Sequence, residues 1–482
     1  MNPRSVLLGA VAGLALAGCI DRGDWKPTPK VEPNSLSAEH TLQGTKLDAA
    51  AWPTDQWWRG YGDPQLDVLV DEALAGSPSL EIAQARLRAA QGQAIAAGAA
   101  RLPSAAVNGE LTRQRYPEHG LYPPPYAGSW STDARLALDL TWELDFWGKN
   151  RALLAQARSG VAAAEADREA ARLALAVAIA RTYVQLDLQY ALLDVTNDNL
   201  KQQTSILDLT QQRVRAGLEN TARVKQSEGT LALTRAGVVF VQANIELARN
   251  QLADLVGAGP DRGRSITRPR LNAPSDIALP AVLPSDLLSR RPDVAAARAH
   301  VEAAGHGIKA AEAEFYPTIN LVAFAGFQTI DLSKLFDASD RIAGAGPTVH
   351  LPIFNRGQLR GNLYGQQAEF DASVGQYNQT LLDAIREVSD VVINWRALEH
   401  ETTEQVTALD AAESSYDLTT QRYQAGLDNY LSVLSAQNQV LLAQSLRAEL
   451  QARRLTFSVD LARALGGGYG APPPPAGPLA SQ

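Results

Sequence analysis

The stretch LDLTQQRVRAGLEN, starting at Leu207, returns 209 residues later as YDLTTQRYQAGLDN, starting at Tyr416, with nine of the fourteen positions identical. A match at a fixed offset is a severe constraint, because the chain must then be built from two copies of one unit. The match continues beyond the stretch. Val224 aligns with Val433, Leu252 with Leu461 and Gly257 with Gly466 at the same offset. Upstream, the segment from Pro78 resembles the segment from Arg291, with Pro78 paired to Pro292 and Pro103 to Pro317 at an offset of 214. Each copy runs about 175 to 180 residues, far more than a solenoid unit. The organisation is therefore a tandem duplication of a whole domain, repeat 1 over 65–257 and repeat 2 over 284–466.

Each repeat has three parts. The first is helical: Pro78 to Arg101 is rich in Ala, Gln, Leu and Arg, with Pro78 suited to a first turn and Pro103 ending the run. The second changes period. In RLALDLTWELDF, from Arg135, the residues Leu136, Leu138, Leu140, Trp142, Leu144 and Phe146 alternate with polar or small ones. Strict alternation of that length reads as a strand of membrane-spanning size, apolar on one side and polar on the other. It favours that reading over a soluble hairpin. Ser104 to Tyr116 is its expected partner, and Thr318 to Thr329 with Ile342 to Phe354 take the same places in repeat 2, with weaker alternation. The third part is a long coiled hairpin. No proline interrupts Gly148 to Arg213, and Ile179, Leu186, Leu193, Leu200 and Leu207 recur every seven residues. The next segment, Thr221 to Val256, repeats the spacing with Val224, Leu231, Val238, Ile245 and Leu252. Sustained heptads imply left-handed coiled-coil packing, and the first of these helices would be about 99 Å long. RAGLEN and QAGLDN are then helix-to-helix turns, with Gly217 and Gly426 adopting φ > 0 and Asn220 and Asn429 capping the returning helices. The repeated stretch is the tip of a hairpin, and duplication provides two tips per chain.

The N-terminus, MNPRSVLLGAVAGLALAGC, has a basic residue, an apolar run from Val6 to Ala17 and then small residues. That is a secretory signal pattern over 1–18, too short for a mature membrane span. Cys19 is the only cysteine, which excludes an internal disulfide framework. Leu16-Ala17-Gly18-Cys19 resembles a bacterial lipoprotein box, which implies a lipid on Cys19 and an outer-membrane destination. Residues 19–64 read as a lipidated arm, and 467–482, GGYGAPPPPAGPLASQ, as a disordered tail.

The chain carries a net charge of −8 with acidic and basic residues interspersed, and no basic block or aromatic-interleaved basic face points to nucleic acid. The six His residues are scattered, and the glycine run at Gly466 leads into proline and carries no Lys-bearing helix. The reading is no enzyme, no metal and no cofactor beyond a covalent lipid on Cys19. Four strands leave open edges, which lipid does not tolerate. Two chains would supply eight strands and three would supply twelve.

Several motifs together resemble the outer membrane factor family, TolC-like, in the lipoprotein branch that includes OprM and NodT-type efflux subunits. They are the lipobox at Cys19, WWRGYGDPQLDVLV from Trp57, LDFWGKNR from Leu144, LPSDLLSRRPDVAAAR from Leu283, FYPTINL from Phe315, LPIFNRGQLR from Leu351 and both tip motifs. The resemblance implies a mainly α chain with a membrane β-barrel: a homotrimer, a twelve-stranded barrel in the outer membrane and a helical tunnel in the periplasm. It implies a passive duct exporting small molecules, docked to a periplasmic membrane-fusion adaptor and an inner-membrane pump of the RND class. The same fold in type I protein secretion is the nearest alternative; a periplasmic scaffold or adaptor lipoprotein is the more distant one. The tips would carry two roles. Arg213, Ala216, Gly217, Leu218, Ala425, Gly426 and Leu427 resemble adaptor-docking turns. Asp208 and Asp417, with Tyr416 and Arg422, stand where family members close a periplasmic gate; Thr419, Thr420 and Gln421 depart from the charged residues relatives carry there.

Overall fold

A computed structural model of the chain describes residues 24–32, 36, 52–120, 122–274, 276–277 and 290–470. Cys19, the signal segment and most of the proline tail lie outside the described residues. In chain order the elements are α1 (Pro64–Gly76), α2 (Pro78–Ala99), β1 (Ser104–Arg115), β2 (Trp130–Leu144), α3 (Lys149–Arg215), α4 (Thr221–Leu255), α5 (Pro260–Arg264), α6 (Pro292–Ala313), β3 (Thr318–Thr329), β4 (Arg341–His350), α7 (Arg356–Gln424) and α8 (Tyr430–Ala464). They form two compact units, and each unit draws on both repeats.

The first unit contains the sheet. Its four strands lie in the order β1-β2-β3-β4, every pair antiparallel, so that the hairpins of the two repeats join through β2 and β3. Register sets Leu138 opposite Val107 and Trp142 opposite Leu321. Side chains alternate between faces along a strand, so this face is lined by Val107, Leu111, Leu138, Leu140 and Trp142. All five are exposed in the single chain, Val107 by 71%. The opposite face is polar. Asp139 accepts from Asn108 Nδ2 at 2.8 Å and from the Arg135 guanidinium at 2.6 Å, and Glu110 is paired across from Arg135. Among the described residues the outer edges of β1 and β4 have no neighbouring strand.

The strand ends differ from the sequence expectation. β2 stops at Leu144, short of Phe146, because Asp145 turns to cap α3: its carboxylate accepts from the amides of Asn150 at 3.0 Å and Arg151 at 2.8 Å. β4 stops at His350 and does not reach Phe354, although it takes in Pro347 opposite Leu321. The weak alternation of repeat 2 has a packing reason at one position. The Phe324 ring lies across Gly344, where a Cβ would sit 2.7 Å from ring atoms. In the same unit residues 24–30 are fastened to α7, with Trp25 Nε1 and the Thr28 amide both donating to Asp371 at 2.8 Å. These donors hold the Asp371 carboxyl below the usual carboxylate range.

The second unit is built on the motif WWRGYGDPQLDVLV. Trp58, Tyr61, Leu66 and Leu69 are buried against Ile179 and Leu186 of α3, Leu252 of α4 and Val459 of α8. Asp63 anchors the motif. It caps α1 through the Gln65 amide at 2.9 Å, accepts from Tyr183 Oη at 2.8 Å and from the Arg270 amide at 2.7 Å. Burial raises the Tyr183 phenol well above its ordinary value. The duplication is visible in the backbone: Gly257 and Gly466, with φ of 77° and 85°, end α4 and α8 at equivalent places. A Cβ on Gly257 would lie 2.8 Å from Gly76 O, and one on Gly466 would strike Arg290 O. Within this unit the long helices are ranked α4, α3, α8, α7. Arg249 of α4 donates to Tyr190 of α3 at 2.7 Å, Arg181 of α3 to Asp460 of α8 at 2.8 Å, and Gln405 of α7 to Ala443 O of α8 at 2.6 Å.

The two faces of β2 predict opposite responses to charge. With the apolar face toward a bilayer, as the alternation implies, Leu138→Arg is expected to cost about 2–4 kcal/mol, whereas Thr141→Arg on the polar face is tolerated. The amount of folded protein recovered from outer membranes, measured for both variants, checks this; equal recovery would contradict the assignment of faces.

Candidate functional site

The two turns have the same backbone construction. At the end of α3, Gly217 has φ 71°, the Leu218 amide bonds Arg213 O at 2.9 Å and the Gly217 amide bonds Val214 O at 3.0 Å. At the end of α7, Gly426 has φ 76°, the Leu427 amide bonds Arg422 O at 2.8 Å and the Gly426 amide bonds Tyr423 O at 3.1 Å. This paired bonding satisfies carbonyls that a helix C-terminus leaves open, and it needs the left-handed residue that glycine supplies. Asn220 then caps α4 through the Arg223 amide at 3.2 Å. Asn429 caps α8 through the amides of Leu431 at 2.9 Å and Ser432 at 3.2 Å. Ala216, Gly217, Ala425 and Gly426 are exposed around the turns. Leu218 and Leu427 are 66% and 69% exposed, so neither leucine stabilises the chain by burial.

Arg213 is placed differently. It is half-buried and crosses from one hairpin to the other: its guanidinium lies 4.6 Å from the centre of the Tyr423 ring and donates to Tyr423 O at 2.8 Å. The contact combines a cation–π attraction with a charge-assisted hydrogen bond. Beneath it Ile206, Tyr423, Tyr430 and Val433 form a small core, with the Tyr423 and Tyr430 rings 6.5 Å apart. Tyr416 belongs to this core as a partly buried ring. Burial pushes its phenol above the ordinary value, and Asp417 adds to the shift. Arg422 instead pairs with Asp428 of its own turn at 3.4 Å. Ser432, the Asn429 amide and Arg422 hold the Asp428 carboxyl below the usual range.

Asp208 and Asp417 are both exposed. Asp208 accepts from Gln212 at 2.7 Å, on its own helix. The structure therefore joins Arg213 to the second hairpin, and among the described residues neither aspartate pairs with a cation. Sequence reading missed Tyr423 and Tyr430, both fully buried. The signal was present as a departure from the repeat, since the equivalent positions are Val214 and Thr221. It also missed Gln203 and Gln437, which are buried and bonded to each other at 2.8 Å between α3 and α8.

A sheet with one apolar and one polar face, long paired helices and doubled hairpin tips define an outer-membrane export channel. The chain belongs to the outer membrane efflux protein family, whose model matches residues 69–258 and 283–467. It is 40% identical over 354 residues to the fusaric acid resistance protein FusA of Burkholderia cepacia, covering 73% of this chain and 67% of that one. It is 31% identical over 472 residues to the multidrug resistance outer membrane protein MdtP of Escherichia coli, covering 95% of each. Among solved structures it resembles the outer membrane protein VceC of Vibrio cholerae, with a TM-score of 0.81 and 38% identity over 86% of this chain and all of that one. The chain is thus a channel protein and not an enzyme.

Removing the bond between hairpins should loosen the tips. Arg213→Ala is expected to lower the local stability there by about 1–2 kcal/mol. Hydrogen exchange of amides over 205–215 and 416–424 should accelerate, with exchange around Leu69 unchanged; undiminished protection at the tips would show that Arg213 contributes nothing there.

Proposed function

We propose that three copies of this chain form a passive exit duct for small toxic compounds, anchored by a lipid on Cys19 and opened by a periplasmic adaptor and an inner-membrane pump of the proton-driven RND class. The observation that carries the proposal is the four-stranded sheet with two open edges. Unpaired backbone groups in lipid cost several kcal/mol each, and β1 of one copy against β4 of the next closes a twelve-stranded barrel. The apolar face of Val107, Leu138 and Trp142 then meets lipid, and the face of Glu110, Arg135 and Asp139 meets the aqueous bore.

The helices of the second unit support the same closure. α3 and α8 are flanked on both sides within the chain, whereas α4 and α7 are the outer members of the row. On α4 the residues Leu233, Phe240 and Leu247 recur every seven positions and are 76%, 67% and 64% exposed. This is a second heptad seam, separate from the buried one through Leu231, Ile245 and Leu252. α4 is also the one helix among the described residues that is long and apolar enough to cross a bilayer. Its spacing suits α7 of a neighbouring copy better, since coiled-coil seams repeat at seven. Energy for export comes from the pump; the duct contributes a bore and a gate. Asp208 and Asp417, exposed just inside the tips, would gather six carboxylates around the mouth of a trimer, where they favour cations. Arg213 and Tyr423 tie the two hairpins of each copy, so opening has to separate or rotate that pair.

The native mass of the detergent-extracted protein should correspond to three chains, each heavier than the chain from Cys19 by its acyl groups. A monomer would leave the sheet edges unpaired and end the proposal. In cells that depend on this channel, Leu218→Ser with Leu427→Ser should abolish compound export while the amount of extracted trimer stays constant; unimpaired export would show that the tips are not the docking end.

A further inference from the structure

The two tips share a backbone but not a surface. Over residues 212–226 repeat 1 carries Arg213, Arg215, Arg223 and Lys225 against the single carboxylate Glu219. Over the equivalent residues 421–435 repeat 2 carries Arg422 and Asp428 alone. Where repeat 1 has Arg215, Ala222, Arg223 and Lys225, repeat 2 has Gln424, Leu431, Ser432 and Leu434. The structure makes the contrast sharper. Arg422 is spent on Asp428 within its own turn. In repeat 1, Arg215 is exposed, Arg223 donates to the neutral Gln226 at 3.1 Å, and Lys225 pairs with Glu228 at 2.8 Å while its side chain stays 77% exposed. Repeat 2 offers apolar surface in that place, with Leu431 48% exposed beside Leu427.

Burial accounts for only one of these differences, since Leu434 packs on the tip core where repeat 1 has the exposed Lys225. At the other two basic positions repeat 2 is neutral: Arg215 and Gln424 are both exposed, and Arg223 and Ser432 are both half-buried. Charge on an exposed contact surface governs encounter and partner choice more than it governs folding. Resting on the reading that the tips are the docking end, we propose that the repeat 1 tip is a distinct electrostatic docking surface. Arg215, Arg223 and Lys225 fit an acidic helical-hairpin tip, and the repeat 2 tip makes an apolar, salt-insensitive contact. The channel would then present two unlike sites per copy to its adaptor. An adaptor whose hairpin turn bears carboxylates is selected, and one bearing cations is rejected by like-charge repulsion.

The test uses the full-length channel in detergent and two synthetic helical hairpins identical except at the turn, which carries four Glu in one and four Gln in the other. The Glu hairpin should bind the wild type at least about tenfold more tightly than the Gln hairpin. Raising NaCl from about 50 mM to about 300 mM should remove most of that advantage, because the screening length falls from about 14 Å to about 6 Å and exposed charges farther apart than that no longer attract. Arg215→Glu with Arg223→Glu and Lys225→Glu should abolish the preference, whereas Gln424→Glu with Ser432→Glu in repeat 2 should leave at least half of it. Equal binding of the two hairpins, an unaffected triple variant, or equal loss from both sets of substitutions would each overturn the inference. So would binding of phosphatidylglycerol vesicles without the Glu hairpin, which would make the patch a lipid surface. If the leucine variants above lose export while the hairpins bind alike, docking at the tips stands and only the charge assignment falls.

Discussion

The backbone hydrogen bonds missing from the outer edges of β1 and β4 are the constraint on which the rest depends. A helix satisfies its own backbone, so the long hairpins need each other only for their side chains. A four-stranded sheet with a lipid-facing side has no such independence. Assembly therefore follows from the sheet, and the helices must accept the ring it closes. In the proposed trimer the exposed seam of Leu233, Phe240 and Leu247 on α4 is the surface for this, an apolar stripe left uncovered by the described residues of the chain.

Duplication supplied the framework, and divergence between the copies supplied the working parts. Glycine turns, asparagine caps and the closing glycines Gly257 and Gly466 are alike in both repeats because each answers a backbone requirement. The tip core is not alike. Tyr423 and Tyr430 replace Val214 and Thr221, and only the second repeat presents a ring on which the Arg213 of the first can stack. The two hairpins are bound by a contact that a symmetric dimer of repeats could not make.

Much of this was legible in the sequence where one physical period dominates. Alternation in RLALDLTWELDF fixed β2 and its two faces, and the heptads at Ile179, Leu186, Leu231 and Leu252 marked residues that are buried. Strand ends were less legible, because they depend on single residues such as Asp145, which leaves the strand to cap α3. The tip was legible as a turn and illegible as a surface. Arg213 and Arg422 are equivalent in sequence, yet one is half-buried on an aromatic ring and the other is paired at the surface. Only the residues around them, Tyr423 in one case and Asp428 in the other, decide between these fates.

The buried pair Gln203 and Gln437 bears on how such a channel can move. Leucine against leucine is indifferent to a shift of one heptad, since one apolar contact replaces another. An amide pair is not. Sliding α8 along α3 would break this bond and those that Gln437 makes to Asn199 and Gln202, at about 1–3 kcal/mol for each buried group left unpaired. The pair thus acts as a detent on the axial coordinate. Helices held this way resist telescoping more than they resist rolling about their long axes, so the width of the passage changes at less cost than its length.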